Sequence, residues 1–233
     1  MRKAFRDELA EVETLCVEVA GQVLQQLEKA MQALLSFDEE LGDEVVRGDD
    51  PIDRCYMEIR NRIFTLLATQ APVAVDLRLV AAMLHINMHL ERMGDLCTTI
   101  GKVVRLVKDL PPSEAILGEL KEMGAQAGRM IDAAFRAFSS RDLTAALGLS
   151  RMDDSIDRLN RGLIKEVAKV AADDETTIEW AARMVLVSRQ LERLGDHAVD
   201  IGEEVAFLVT GEFKEFTDAS HKGDIPGSRE SVN

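Results

Sequence analysis

The feature that most constrains this chain is an internal repeat. The peptide His-Leu-Glu-Arg-Met-Gly-Asp at residues 89–95 returns as Gln-Leu-Glu-Arg-Leu-Gly-Asp at residues 190–196. A second motif repeats in the same order, because Asp-Asp-Pro-Ile-Asp at residues 49–53 corresponds to Asp-Asp-Ser-Ile-Asp at residues 153–157. Two motifs that recur in order after about 100 residues indicate a duplicated folding unit. We therefore predict two similar halves, and their bounds are residues 1–110 and 111–211.

Hydrophobic periodicity predicts that each half is helical. Between residues 5 and 35, apolar side chains recur in steps of three and four, which is the spacing of one helix face. Aromatic residues make up only 4% of the chain, which favours helices packed through aliphatic contacts over a sheet. The fold class is therefore all-α, with three long helices in each half. We place them at about residues 5–35, 51–69, 75–108, 113–139, 141–171 and, after a short acidic linker, up to 210.

Two further segments lie outside these helices. A shorter segment opens at Phe37-Asp38, and the sequence from Gly48 to Pro51 interrupts it before the second long helix restarts at Pro51. Residues 212–233 lose helical periodicity and contain Gly, Pro and several Ser residues. This composition predicts a mobile C-terminal tail.

Charge, cysteine content and hydropathy indicate which partners and which cellular compartment to expect. The formal net charge of −14 argues against nucleic acid, since binding to phosphates relies on Lys and Arg. Three cysteines without a Cys-x-x-Cys pair do not resemble a secreted disulfide framework. The chain also has no apolar run near the ~18 residues that a membrane span needs. We expect a cytoplasmic protein with no membrane insertion.

Carboxylates in the repeated motifs form pairs with helical i, i+4 spacing. Two like charges on one exposed helix face cost roughly 0.2–0.5 kcal/mol, so something should offset them. If the second and third long helices of each half run antiparallel, their pairs meet as two groups of four, here called the acidic nests. The first nest comprises Asp49, Asp53, Glu91 and Asp95, and the second comprises Asp153, Asp157, Glu192 and Asp196. Oxygen-rich groups of this kind suit hard cations such as iron, manganese, magnesium or calcium.

Interhelical ion pairs are the alternative to metal. Four arginines follow or lie within the motifs and could neutralise the carboxylates: Arg54, Arg92, Arg158 and Arg193. The motif glycines Gly94 and Gly195 cost about 1 kcal/mol each within a helix. Their presence is explained either by a neighbouring group that approaches closely or by tolerance within a long helix.

The two nests are predicted to differ. Asp200 and Glu203 continue the acidic stripe beyond Asp196, so we expect the second half to bind cations more strongly, with Asp200 as an additional ligand. His85 and His89 have metal-pair spacing but project about 120° away from Glu91 and Asp95 on a helical wheel. We interpret them as surface or interface histidines rather than ligands.

Sequence motifs for catalysis are missing. The chain has no Glu-x-x-His of the di-iron bundles, no His-Glu-x-x-His, no Gly-rich phosphate loop and no nucleophile elbow. We therefore expect a protein that is not an enzyme.

Taken with their order, these motifs resemble the PhoU family, the accessory regulators of bacterial and archaeal phosphate transport. The resemblance rests on the paired Glu-Arg-x-Gly-Asp and Asp-x-x-Ile-Asp motifs, on Asp76-Leu77-Arg78, and on the ending at residues 207–212; it spans about residues 5–212. It implies two pseudo-symmetric three-helix bundles whose acidic pairs hold divalent or trivalent metal ions, commonly multinuclear iron clusters. The ligands implied by position are the eight nest carboxylates, with Asp200 added.

The same resemblance implies a regulatory function. Such proteins link the ATPase subunit of the phosphate ABC transporter to the phosphate sensor histidine kinase, and they restrain uptake and repress phosphate-starvation genes when phosphate is plentiful. It leaves a monomer, a homodimer or a larger assembly open. The alternative is a metal-stabilised helical scaffold or metal-storage protein without a role in phosphate signalling.

Overall fold

The fold is built from six long α-helices and one short one, as described by a computed structural model for residues 2–173 and 175–216. We number the helices α1 to α7 in chain order: α1 Arg2–Ser36, α2 Glu39–Arg47, α3 Asp49–Gln70, α4 Ala74–Val107, α5 Glu114–Ser140, α6 Leu143–Asp173 and α7 Ile178–Thr210. A single 3-10 turn, Glu175–Thr177, precedes α7. The described residues contain no β-strand, so the all-α prediction is confirmed.

Local capping defines several helix boundaries, and one helix starts earlier than predicted. Asp38 caps α2 by accepting a hydrogen bond from the Leu41 N–H at 3.0 Å, and Gly211 ends α7 in the left-handed conformation with φ of 79°. Ser113 occupies the N-cap position of α5, but its side chain makes no capping hydrogen bond. The helix predicted to restart at Pro51 begins at Asp49, because Gly48 keeps a right-handed helical conformation and joins α2 almost directly to α3.

Each half contributes three long helices that pack together, and the contacts between the halves join equivalent helices. In the first half α1 and α3 lie against α4, and in the second half α5 and α6 lie against α7. Across the halves α1 contacts α5, and α4 contacts α7. This equivalence is what a pseudo-twofold relation between duplicated units produces. The buried side chains of both halves form one continuous hydrophobic core.

Close helix crossings explain part of the glycine content. A Cβ built on Gly101 of α4 would lie 2.9 Å from the carbonyl oxygen of Gly42 on α2, and 3.1 Å from Val45 Cβ. Only glycine allows the two backbones to approach this closely. The short helix α2 is thereby held against α4, next to the start of α3.

The segment after α7 begins with an ordered contact. The Phe216 N–H donates to Glu203 Oε1, and the Phe213 ring lies edge-on to the Phe207 ring with centroids 6.4 Å apart. The predicted mobile tail starts at residue 212, and its part from 217 to 233 lies outside the described residues. Among the described helices, none combines the length and apolar character that crossing a membrane requires.

Candidate metal sites

The two Glu-Arg-x-Gly-Asp motifs lie on helices α4 and α7. The first faces the Asp-rich start of α3, and the second faces the Asp-rich middle of α6. A Cβ built on Gly94 would lie 2.9 Å from Asp49 Oδ1, and one on Gly195 would lie 3.0 Å from Asp153 Oδ1. In each half the motif glycine therefore leaves room for an aspartate carboxylate from the neighbouring helix. Of the two explanations considered for these glycines, the structure supports the close approach of a neighbouring group.

The first nest concentrates negative charge between α3 and α4. Burial raises the pKa of Asp49, and the nearby carboxylates of Asp53 and Asp95 raise it further. The pKa of Glu91 is also raised by burial; Arg92 opposes this rise, whereas Asp95, Asp53 and Asp49 add to it. Asp49 Oδ1 is buried and has no hydrogen-bond partner within the described part of the chain. The carboxylates are thus close enough to disfavour one another's charge.

The second nest combines stronger burial with more pairing. Asp153 is only 5% exposed. Glu192 accepts hydrogen bonds from Arg189 and from Asn160 Nδ2, the latter at 3.1 Å, and Asp157 accepts one from Arg161 at 3.3 Å. Burial still raises the pKa of Glu192 despite Arg189.

Asp196 is a strongly perturbed carboxyl group of the second nest. The residue as a whole stays exposed, yet partial burial of its carboxyl group, together with the charges of Glu192 and Asp157, raises its pKa to about 6. A proton or a cation near this group would relieve the repulsion. The second nest thus has the same electrostatic character as the first.

The ion pairs that form around the nests differ from those considered from the sequence. Arg92 lies 3.2 Å from Asp95 and 3.5 Å from Glu91, but all three belong to α4. In the second nest the pairing cations are Arg189 and Arg161, each on the same helix as its partner. These arginines are more than half exposed, and such surface pairs contribute little stability. They leave the interhelical repulsion within each nest in place.

The nest carboxylates do not converge on a single point. Among the described residues, only one group of three His, Cys, Asp or Glu side chains has ligand atoms that all lie within 4.8 Å of one another, and it is His89, His197 and Asp200. Asp200, predicted as an extra ligand of the second nest, therefore lies with two histidines at the contact between α4 and α7. Glu203 accepts from the Phe216 N–H instead of extending the nest. The charge of Asp200 also helps to raise the pKa of Asp196, so Asp200 lies near the second nest as well, and its role as a ligand there stays a prediction.

Sequence reasoning missed His197 and could not identify the residues that His89 contacts. His89 and His197 belong to different halves, and their rings meet with centroids 5.2 Å apart. His89 is an interface histidine, as expected, but its neighbours could be identified only once α4 and α7 were placed side by side. His85, one turn earlier, pairs with the buried Glu204 at 2.6 Å.

A polar cavity of about 270 Å³ lies where the first nest meets α7. Its walls include Asp49 and Asp95 from the first half and Arg193 and His197 from the second. The first nest is therefore accessible from the seam between the halves. All eight nest residues supply only carboxylate oxygens, which fits binding of hard cations.

Comparison with known proteins identifies relatives over nearly the whole chain. The model of the PhoU domain matches twice, at residues 17–104 and 120–205. A phosphate-specific transport system accessory protein PhoU homolog from Caulobacter vibrioides is 31% identical over 223 residues, which is 96% of each chain. A homolog of the same description from Clostridium acetobutylicum is 28% identical over 93% of this chain and 99% of its own length.

Solved structures give the same result. The crystal structure of PhoU from Pseudomonas aeruginosa superposes with a TM-score of 0.85 at 29% identity, and covers 89% of this chain and 100% of its own. That of the phosphate transport system regulatory protein PhoU from Streptococcus pneumoniae superposes with a TM-score of 0.84 at 29% identity, over 90% and 99% of the two chains. The resemblance stated from the motifs is confirmed: this chain belongs to the PhoU family.

Proposed function

We propose that this protein is a cytoplasmic, non-enzymatic regulator of phosphate uptake and of phosphate-starvation signalling. The observation that carries the proposal is the double match to the PhoU domain, because it covers both halves and both copies of each acidic motif. Relatives described as accessory proteins of phosphate-specific transport align along 96% of their length. The expected effect is negative: uptake is restrained and starvation genes are repressed when phosphate is plentiful.

The proposal includes metal ions at the two acidic nests. Asp49, Asp53, Glu91 and Asp95 would hold metal in the first half, and Asp153, Asp157, Glu192 and Asp196 in the second. Support comes from the raised pKa values of Asp49, Glu91, Glu192 and Asp196, and from the glycine next to each buried aspartate. Iron or another hard cation would supply positive charge there, and the chain's own carboxylates would bind it and hold α3 to α4 and α6 to α7.

The partners in this proposal are the ATPase subunit of the phosphate ABC transporter and the cytoplasmic portion of the sensor histidine kinase. A rigid bundle with long exposed helix faces and a net charge of −14 suits docking to basic surfaces on such partners. The descriptions of the relatives support an adaptor rather than a catalyst, because they name accessory and regulatory proteins of phosphate transport.

Deletion of the gene in the native host tests the regulatory function. We expect alkaline phosphatase activity to rise in phosphate-rich medium and to return to the basal level when the intact gene is restored. The intact protein should co-purify with the transporter and the kinase in a manner that depends on phosphate. Unchanged alkaline phosphatase after deletion would contradict the proposal and favour the scaffold or storage alternative.

A matched pair of variants tests the metal component within the same assay. Asp49→Asn with Asp53→Asn removes two carboxylates of the first nest, whereas Asp50→Asn removes an exposed carboxylate from the same helical turn. We expect only the double variant to lose bound metal and to weaken repression. Equal metal content in the double variant and in Asp50→Asn would show that the first nest does not bind metal.

A further inference from the structure

A cluster of two histidines and one aspartate, the His–His–Asp cluster, lies at the contact between the two halves. It comprises His89 of α4 and His197 and Asp200 of α7. The side chains of His89 and His197 are only 12% and 17% exposed, whereas that of Asp200 is 43% exposed. Two imidazoles are therefore held in a mostly dry seam, and the carboxylate lies at its solvent side.

The distances within the cluster have the size of the edges of a tetrahedral coordination sphere. The Nδ1 atoms of His89 and His197 are 3.1 Å apart, and each lies 3.4 Å from Asp200 Oδ2. Ligands at about 2.0–2.1 Å from Zn²⁺ in a tetrahedron are about 3.3 Å from one another. An ion slightly above the plane of these three atoms would therefore reach all of them at normal bond lengths without rearrangement of the helices.

The hydrogen-bonding capacity of the cluster suits a cation. Two Nδ1 atoms 3.1 Å apart cannot both carry a hydrogen towards each other, so at least one imidazole presents a lone pair at this position. A metal ion needs a lone pair on each ligating nitrogen, and both Nδ1 atoms already face Asp200 Oδ2 and each other.

The orientation of the His197 ring is not explained by a hydrogen bond at Nε2, the nitrogen that points away from His89. His197 Nε2 is buried and has no hydrogen-bond partner among the described residues. The polar contacts of this ring lie on the Nδ1 side, where they point to His89 and Asp200. The ring is thus oriented towards the position that an ion would occupy.

We propose that His89, His197 and Asp200 bind one divalent transition-metal ion, with Zn²⁺ as the best-suited ion and water as the fourth ligand. Two imidazole nitrogens and one carboxylate favour Zn²⁺ over the hard cations that all-oxygen sites select. Because its ligands come from α4 and α7, the ion fastens the first half of the chain to the second.

The proposed zinc site is distinct from the acidic nests. The repeat places Gln190 opposite His89, Leu96 opposite His197 and Thr99 opposite Asp200, so the second copy of the ligand set does not exist. The chain can form one such site across its seam, whereas it has one nest in each half.

Zinc X-ray absorption spectroscopy on the full chain tests the site. The protein should be free of any histidine tag, treated with chelator and reloaded with one equivalent of Zn²⁺; the substitution His221→Gln is introduced to remove the tail histidine. We expect a coordination shell with two imidazoles per zinc. Replacement by Co²⁺ should give the intense visible bands of tetrahedral cobalt.

Four variants provide the matched comparison. His89→Gln and His197→Gln should each reduce Zn²⁺ affinity by at least about tenfold, the loss that even an outer-sphere partner of a ligand causes. His85→Gln, one turn away on the same helix and paired with Glu204, should leave affinity and spectrum unchanged. Asp200→Asn, at a partly exposed position, should weaken binding while two imidazoles remain.

The outcomes decide between the alternatives even if a histidine variant unfolds. A zinc shell of oxygen atoms alone in the otherwise native protein would overturn the proposal and place the ion in the nests. Equal losses of affinity in His85→Gln and His89→Gln would also overturn it. Two imidazoles in the reloaded protein, together with the selective effect of His89→Gln or the loss caused by Asp200→Asn, would support it.

Discussion

Gly94→Ala tests whether the motif glycine is required by the carboxylate that lies against it. The added Cβ would lie 2.9 Å from Asp49 Oδ1 and 3.2 Å and 3.3 Å from Cδ1 and Cγ2 of the buried Ile52. Favourable contacts of carbon atoms begin at about 3.5 Å, so both side chains must move. Asp49 can rotate, but Ile52 is fixed within the core.

The expected magnitude follows from two opposing terms. Alanine gains about 1 kcal/mol over glycine in a helix interior, whereas overpacking of a dense core costs about 1–3 kcal/mol. Gly94→Ala should therefore lower the free energy of unfolding by about 0–2 kcal/mol. Gly21→Ala is the control, because a Cβ there meets nothing within 4 Å, and it should stabilise the protein by about 0.5–1 kcal/mol.

Urea unfolding with chelator present measures the free energy of unfolding of both variants. The difference between Gly21→Ala and Gly94→Ala should be about 1–3 kcal/mol, which is the cost of overpacking at Gly94. The displaced Asp49 carboxylate should also weaken metal binding at the first nest in a titration without chelator. The reasoning is refuted if Gly94→Ala stabilises the protein as much as Gly21→Ala does.

Three further predictions follow from burial and charge. With chelator present, the free energy of unfolding should fall as pH rises from about 4 to 7, because Asp196 binds a proton more tightly in the folded state than in the unfolded state. Asp196→Asn should flatten this pH dependence. An unchanged slope in the variant would show that Asp196 is not the group responsible. Cys55 should react with a thiol reagent in the native protein. Cys16 and Cys97 should react only on unfolding, because burial raises the pKa of both thiols to about 12. Fast labelling of all three cysteines would show that the core is open. Trp180 is fully buried, so Trp180→Ala should lower the free energy of unfolding by about 3–5 kcal/mol in a urea titration, and Trp180→Phe should lower it by less. Equal losses of stability in the two variants would mean that the indole nitrogen contributes more than packing.

The duplicated motifs and the periodicity were sufficient to predict the helices and the family. Steps of three and four along α1 reflect burial of a single face, which is a local property of the sequence. The role of Gly94 was predictable only in part, since a glycine inside a regular helix indicates either a close neighbour or tolerance of its cost. The identity of that neighbour, Asp49, follows from the predicted antiparallel packing of the Asp-rich helix.

The contacts across the halves were not predictable in the same way. His89 meets His197 only because α4 packs on α7, and the spacing within one helix contains no information about which side chain of another helix faces it. Asp200 continues the acidic stripe of α7 by spacing, yet the seam places it beside the histidines. The early start of α3 at Asp49 likewise depends on Gly48 and on the packing of α2 against α4.

Anomalous X-ray diffraction from crystals of the metal-loaded protein tests the central claim most directly. We predict an anomalous peak at each acidic nest, one bounded by Asp49, Asp53, Glu91 and Asp95 and the other by Asp153, Asp157, Glu192 and Asp196. Peaks at both positions at the absorption edge of the bound metal would establish the nests as metal sites. Crystals of loaded protein that show arginines or water, and no anomalous signal, at both nests would contradict the account.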